Sequence, residues 1–261
     1  MSFEIIDFHT HPFLDARSNI CSHKSYLNLS ADNIKDDMQS LGISHICGSV
    51  ICSKPLDEEN DWQRLQRAND CAMKLKCMLG DFYTPGFHIH PDYPEQSLAL
   101  MHEMHKAGIR LIGEIVPYSS GWSDLNSKNH DMLLDEAEKL GMVYSFHSDE
   151  NFDATDEMVR RHKNLTIVAA HPGEYQRLIR HLERTKISEN YYLDLSGTGL
   201  FRHGMLAHAV KEMGADHVLF GTDYPTCTPG MYVGGVLYDK ALTDSEKELV
   251  LSGNAKRLLG L

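Results

Sequence analysis

Phe3-Glu4-Ile5-Ile6-Asp7-Phe8-His9-Thr10-His11 is the stretch from which the rest of the chain is read. Its apolar run predicts a strand over residues 3–8. Side chains on a strand alternate between faces, so residues two apart point the same way. His9 and His11 therefore set two imidazoles side by side at the strand's C-terminal end. Two neutral imidazoles that close suit a divalent metal.

The pattern continues outward to the last residues. Short β-rich runs predict strands over 3–8, 44–51, 82–88, 109–115, 142–147, 165–170, 191–195 and 217–221. Amphipathic stretches between them predict helices over 31–41, 62–79, 95–107, 131–140, 154–163, 174–183, 202–213 and 245–259. Gly42, Gly80, Gly108, Gly141 and Gly214 stand as helix stops ahead of several strands. Alternation of this kind implies βα units and a parallel sheet. Eight of each in 261 residues match an α/β fold, a single (β/α)8 TIM barrel, which takes roughly 250. A doubly wound open sheet would need a ligand crevice at a switch point, and no Gly-x-Gly-x-x-Gly marks one. With no linker or break in composition, residues 1–261 read as one domain.

Composition narrows the function classes. The net charge of −12 and the lack of Lys/Arg runs beyond Arg160-Arg161-His162-Lys163 argue against a nucleic-acid partner. No run approaches the ~18–20 apolar residues of a membrane helix, and the first residues do not read as a secretory leader. Six scattered cysteines without a Cys-x-x-Cys read as reduced thiols of a cytoplasmic protein.

Placed on the predicted strands, the polar residues fall at one end. His9 and His11 close the first strand, and His88 and His90 the third. Glu114 lies near the end of the fourth, His147 ends the fifth, His171 the sixth and Asp223 the eighth. A barrel brings all its strand C-termini to one face, where active sites are built. Glu114 is the hardest to read as structural, since an acid inside an apolar strand is rarely buried alone. His88 and His90 are read as packing or supporting residues. Histidines with carboxylates suit Zn²⁺ or a similar first-row metal.

Asp7-Phe8-His9-Thr10-His11, Ala170-His171-Pro172-Gly173, Tyr192-Leu193-Asp194-Leu195-Ser196, Leu219-Phe220-Gly221-Thr222-Asp223-Tyr224-Pro225 and Gly253-Asn254-Ala255-Lys256-Arg257-Leu258-Leu259 together resemble the amidohydrolase superfamily. The resemblance is to the branch that includes aminocarboxymuconate-semialdehyde decarboxylase, and it spans the chain. Gly113-Glu114-Ile115 also resembles the fourth-strand motif of TatD-type deoxyribonucleases, whose glutamate bridges two metals. Urease-like members carry a carbamylated lysine on that strand, which Glu114 would replace.

The resemblance implies that His9, His11 and Asp223 hold one metal, with His147 or Glu114 completing its shell. Asp223 would orient the attacking water and act as its base. If Glu114 bridges, His147 and His171 bind a second metal; otherwise His171 is free to polarise the substrate or deliver a proton. Zinc is expected first, one or two per chain, with Mn²⁺ or Fe²⁺ as alternatives. The βα loops offer Arg17, Lys24, Lys54, Tyr118, Trp122 and Arg202 as substrate contacts; Tyr118, Trp122 and Arg202 are the substrate-binding candidates carried forward.

These observations predict a divalent-metal-dependent hydrolase that opens a small polar amide, ester or lactone with metal-activated hydroxide. Non-oxidative decarboxylation, a TatD-like nuclease and a non-catalytic ligand-sensing barrel follow in that order. The expected partner is a small molecule, with self-association into a homo-oligomer left open.

Overall fold

Each apolar run forms a strand in the computed structural model, which describes residues 3–21, 29–148 and 151–261. The strands are β1 (Ile5–Asp7), β2 (Ile43–Ser49), β3 (Tyr83–Phe87), β4 (Leu111–Ile115), β5 (Val143–His147), β6 (Thr166–Ala170), β7 (Tyr191–Asp194) and β8 (Val218–Leu219). They pair in parallel and in sequence order.

The seam between β8 and β1 closes through hydrogen bonds beyond the strands' formal ends. Phe8 N donates to Phe220 O at 2.9 Å, Asp223 N to His9 O at 2.9 Å and His11 N to Tyr224 O at 2.6 Å. Asp7 seals the same junction: it accepts Thr222 N at 3.0 Å and Thr222 Oγ1 at 2.6 Å. Burial pushes the Asp7 carboxyl up to about 7, although these bonds pull it the other way. The molecule is a single (β/α)8 TIM barrel.

Two apolar layers hold it. The larger lies between sheet and helices and includes Ile46, Tyr83, Ile112, Phe146 and Leu193. The smaller joins Ile6, Cys47, Leu111, Val143, Val168, Tyr192 and Leu219 to Ala255 and Leu259 of the last helix. One residue apiece from β1, β2 and β4–β8 marks this as the barrel's interior, stoppered by the C-terminal helix. Some helix starts carry side-chain caps; Asn60 and Gln63 form a capping box ahead of Asp61–Leu79.

The differences from the sequence reading are local. Helices Pro117–Ser120 and Pro229–Leu237 were not foreseen. The helix expected over 245–259 is three pieces: Asp244–Glu248, a π segment Leu249–Gly253 and Asn254–Leu259. The wider turn has a use, since the Val250 carbonyl accepts Phe220 N at 2.9 Å beside the seam. Among the described residues, no helix is long and apolar enough to cross a membrane.

One buried histidine makes the fold pH-sensitive. His130 is fully buried, with Nδ1 2.9 Å from Leu125 O and Nε2 3.0 Å from the Tyr144 hydroxyl. Burial holds its imidazole down from 6.5 to about 4. The unfolded chain therefore takes up a proton at a pH where the folded one does not. Stability is full above pH 6.5 and falls as pH drops toward 4, by about 2 kcal/mol from this group between pH 7 and 5. Urea unfolding of the parent and His130→Gln at both pH values measures it; the same loss in both proteins would remove His130 as the cause.

Candidate metal centre

At the C-terminal end of the barrel the interior turns from apolar to ionisable. His9 and His11 leave β1 there, and each has one ring nitrogen already committed. His9 Nδ1 lies 2.8 Å from Asp194 Oδ2, and His11 Nδ1 lies 2.9 Å from the Ser49 carbonyl. A donated Nδ1–H leaves each Nε2 facing inward. The two Nε2 atoms are 3.2 Å apart.

Glu114 reaches the same point from β4 because the ladder to β5 shifts register between Ile112 and Ile115. Gly113 makes the shift feasible: its φ is +94°, and a Cβ there would stand 2.1 Å from Ser145 O. The buried carboxylate divides its oxygens. Oε2 lies 3.5 Å from His9 Nε2 and 3.3 Å from His11 Nε2. Oε1 lies 3.0 Å from His147 Nδ1 and 3.3 Å from His171 Nε2. The β5–β6 register, with His147 opposite Ala170, brings those two imidazoles together at 4.8 Å between ring centres. Asp223 completes the ring from beyond β8, its Oδ1 3.4 Å from His11 Nε2 and 3.9 Å from His9 Nε2.

His171 and Asp223 both take left-handed backbone, with φ of +69° and +63°. That conformation costs a non-glycine residue about 1–2 kcal/mol. Such outliers gather at working sites, where surrounding contacts hold them.

The electrostatics follow from carboxylates and imidazoles sharing a dry space. Burial alone would lower His9, yet Asp194 and Glu114 raise it well above the usual imidazole range. Burial would raise Glu114, but His9's charge and hydrogen bonds from His11, His147 and His171 hold it well below ordinary carboxylates. The carboxylates thus draw positive charge into the centre. His9, His11 and Asp223, and separately His9, Glu114 and His171, each offer ligand atoms within 4.8 Å of one another.

The structure therefore gathers His9, His11, Glu114, His147, His171 and Asp223 in one cluster. The loop candidates divide. The Tyr118 ring, largely exposed, stands edge-on to His147 at 5.5 Å. Trp122 is packed in the core, its ring 5.0 Å from His130 and 6.3 Å from His90, and does not form the expected wall beside the cluster. Arg202 is exposed and paired with Glu174, tying the loops after β6 and β7. Arg17 and Lys54 line a cavity of about 280 Å³ between the first two βα loops. Lys24 lies outside the described residues. His88 and His90 bond the Val50 and Ser120 carbonyls at 2.8 and 3.0 Å and belong to the packing.

The sequence reading assigned no role to Asp194 or Ser196. Besides orienting His9, Asp194 accepts the Ser196 hydroxyl, which lies 3.0 Å from His171 Nδ1 and 3.1 Å from His9 Nδ1. Asp194 carries the signal that singled out Glu114, an acid inside an apolar strand.

Comparison with known proteins agrees with this architecture. No curated protein matches the sequence. Among solved structures, 2,6-dihydroxybenzoate decarboxylase from Rhizobium superposes with a TM-score of 0.73 at 15% identity over 99% of both chains. A dihydroxybenzoic acid decarboxylase from Polaromonas, with bound manganese and 2-nitroresorcinol, gives 0.72 at 14%, over 99% of this chain and 97% of that one. A protein assigned as 2-pyrone-4,6-dicarboxylic acid hydrolase from Acinetobacter baumannii gives 0.69 at 14% over the whole of both chains. At such identities the likeness is one of fold. The amidohydrolase family model matches residues 6–261, from the first strand through Asp223 to the last helix, and the chain belongs to that family.

Proposed function

We propose that this chain is a divalent-metal-dependent hydrolase acting on a small polar molecule with an amide, ester or lactone carbonyl. Glu114 carries the proposal: one oxygen faces His9 and His11, the other His147 and His171. A carboxylate so divided suits two cations a few ångströms apart, a common arrangement in hydrolytic sites. The donors fit: two Nε2 atoms held inward by Asp194 and Ser49, with carboxylate oxygens beside them. His9, His11 and Asp223 would hold one cation, and His147 and His171 with Glu114 the other. Zn²⁺ is the first choice for this set; Mn²⁺, seen in a fold neighbour, and Fe²⁺ are alternatives.

A bound divalent cation supplies Lewis acidity to the carbonyl and to water. The chain's residues do the rest. Asp223 Oδ1 faces the histidines, while Oδ2 has, among the described residues, the weak Cys227 thiol at 3.9 Å and is placed to take the proton from attacking water. Tyr118 stands where it can flank the substrate beside His147, and Arg202, paired with Glu174, is a cation on the loop after β7. Non-oxidative decarboxylation is the second reading, favoured by the aromatic-acid decarboxylases among the fold neighbours. On it, His171 Nε2 delivers the proton that replaces the carboxyl group.

Elemental analysis after chelator-free purification without a histidine tag tests the first part. Two metals per chain are expected; one favours His171 as an acid rather than a ligand; none after reconstitution with Zn²⁺, Mn²⁺ or Fe²⁺ overturns the proposal. Assay of the loaded protein on lactones, esters, amides and hydroxybenzoates tests the second. Carbon dioxide release without hydrolysis would move the assignment to decarboxylation.

A further inference from the structure

Behind His171, on the side away from the cluster, lies a buried polar chain that no step above uses. Arg184 is 1% exposed; its Nε bonds Asp156 Oδ1 at 2.7 Å and its Nη1 lies 3.5 Å from the Tyr191 hydroxyl. That hydroxyl lies 2.7 Å from His181 Nδ1. His181 Nε2 lies 3.4 Å from Ser148 Oγ. Ser148 Oγ in turn bonds Ala170 O at 2.5 Å and His171 O at 3.3 Å.

Donor chemistry allows a single direction along this chain. A guanidinium only donates, so the Tyr191 oxygen accepts from Arg184. With one lone pair so engaged, the hydroxyl can give its hydrogen to His181 Nδ1 as the acceptor. The imidazole proton is then on Nε2, aimed at Ser148 Oγ, whose own hydrogen goes to the Ala170 and His171 carbonyls. A neutral ring with one committed tautomer can donate in only one place.

We propose that Arg184, Tyr191, His181 and Ser148 are positioning residues, a one-way hydrogen-bond relay that clamps the peptide of His171 in its left-handed conformation and so fixes where its imidazole meets Glu114. The clamp sits where strain needs it, on a non-glycine residue at φ +69°. Its importance for chemistry rests on the reading of His171 as a functional residue. The relay itself does not depend on that reading.

Nitrogen-15 NMR of the metal-free protein tests it. His181 is expected as a neutral Nε2–H ring at pH 7; a proton on Nδ1, or an imidazolium, overturns the relay. In His181→Phe the His171 ring signals should shift, and His181→Gln, which keeps an N–H near the same place, should restore them. Unchanged His171 signals in folded His181→Phe, or no rescue by Gln, overturn the positioning role. If His181→Phe does not fold, Tyr191→Phe removes only the hydroxyl and should redistribute the His181 proton; an unaltered tautomer there counts against the relay. Adding Mn²⁺ to the parent separates the two proposals: His171 signals that ignore the ion count against the metal assignment and leave the metal-free result standing.

Discussion

Asp223→Asn is expected to lower turnover about 10²–10⁴-fold, the range of a lost general base, while the barrel and much of the bound metal remain. Asparagine keeps the side chain's shape, retains an oxygen toward His9 and His11, and tolerates left-handed backbone as readily as aspartate. What it removes is the basicity of Oδ2, the atom without a strong partner. Circular dichroism and metal content should therefore stay near the parent's while kcat collapses. Activity within a few-fold of the parent would end the proposed role as base. Loss of metal in step with activity would make Asp223 chiefly a ligand.

Glu114→Gln should act on the metal before it acts on rate. The carboxylate faces four imidazoles, with one oxygen on each half of the cluster. An amide has the same size but no charge, and its NH₂ half would point a donor at two of the four rings. Content should drop by about one metal per chain. The remaining affinity should weaken by at least the roughly 10–100-fold typical of losing a supporting carboxylate. Calorimetric titration with Zn²⁺ or Mn²⁺ reads both quantities. Unchanged stoichiometry would show that Glu114 does not span two cations and would return the site to a single ion.

Most of the barrel was legible because parallel strands buried on both faces must be apolar runs, and the helices between them must be amphipathic. The site's members were legible because a polar residue at the end of such a run stands out. His9, His11, Glu114, His147, His171 and Asp223 all carry that signature, and all six meet. Trp122 misled because an aromatic on a βα loop can turn into the core as easily as over the mouth, and its neighbour His130, buried for its own reasons, is what it packs on. The π segment of the last helix was illegible because its cause is one distant hydrogen bond, Phe220 N to Val250 O. The His181 relay was missed for the opposite reason: on helix Tyr175–Thr185 that histidine looks like any other.

The seam between β8 and β1 has a bearing on the order of assembly. Asp7 meets Thr222 across 215 residues, while every other neighbouring pair of strands is joined by a single βα unit. Contacts so distant in sequence are the slowest to form, because the entropy of closing the loop must be met before they give anything back. Asp223 arrives with that last closure, its amide bonded to the carbonyl of His9 itself. An incomplete barrel, on a ribosome or in a refolding tube, can therefore hold all four histidines of the cluster and still lack Asp223, the residue proposed as the base. On the proposed function, catalysis doubles as a report that folding has finished.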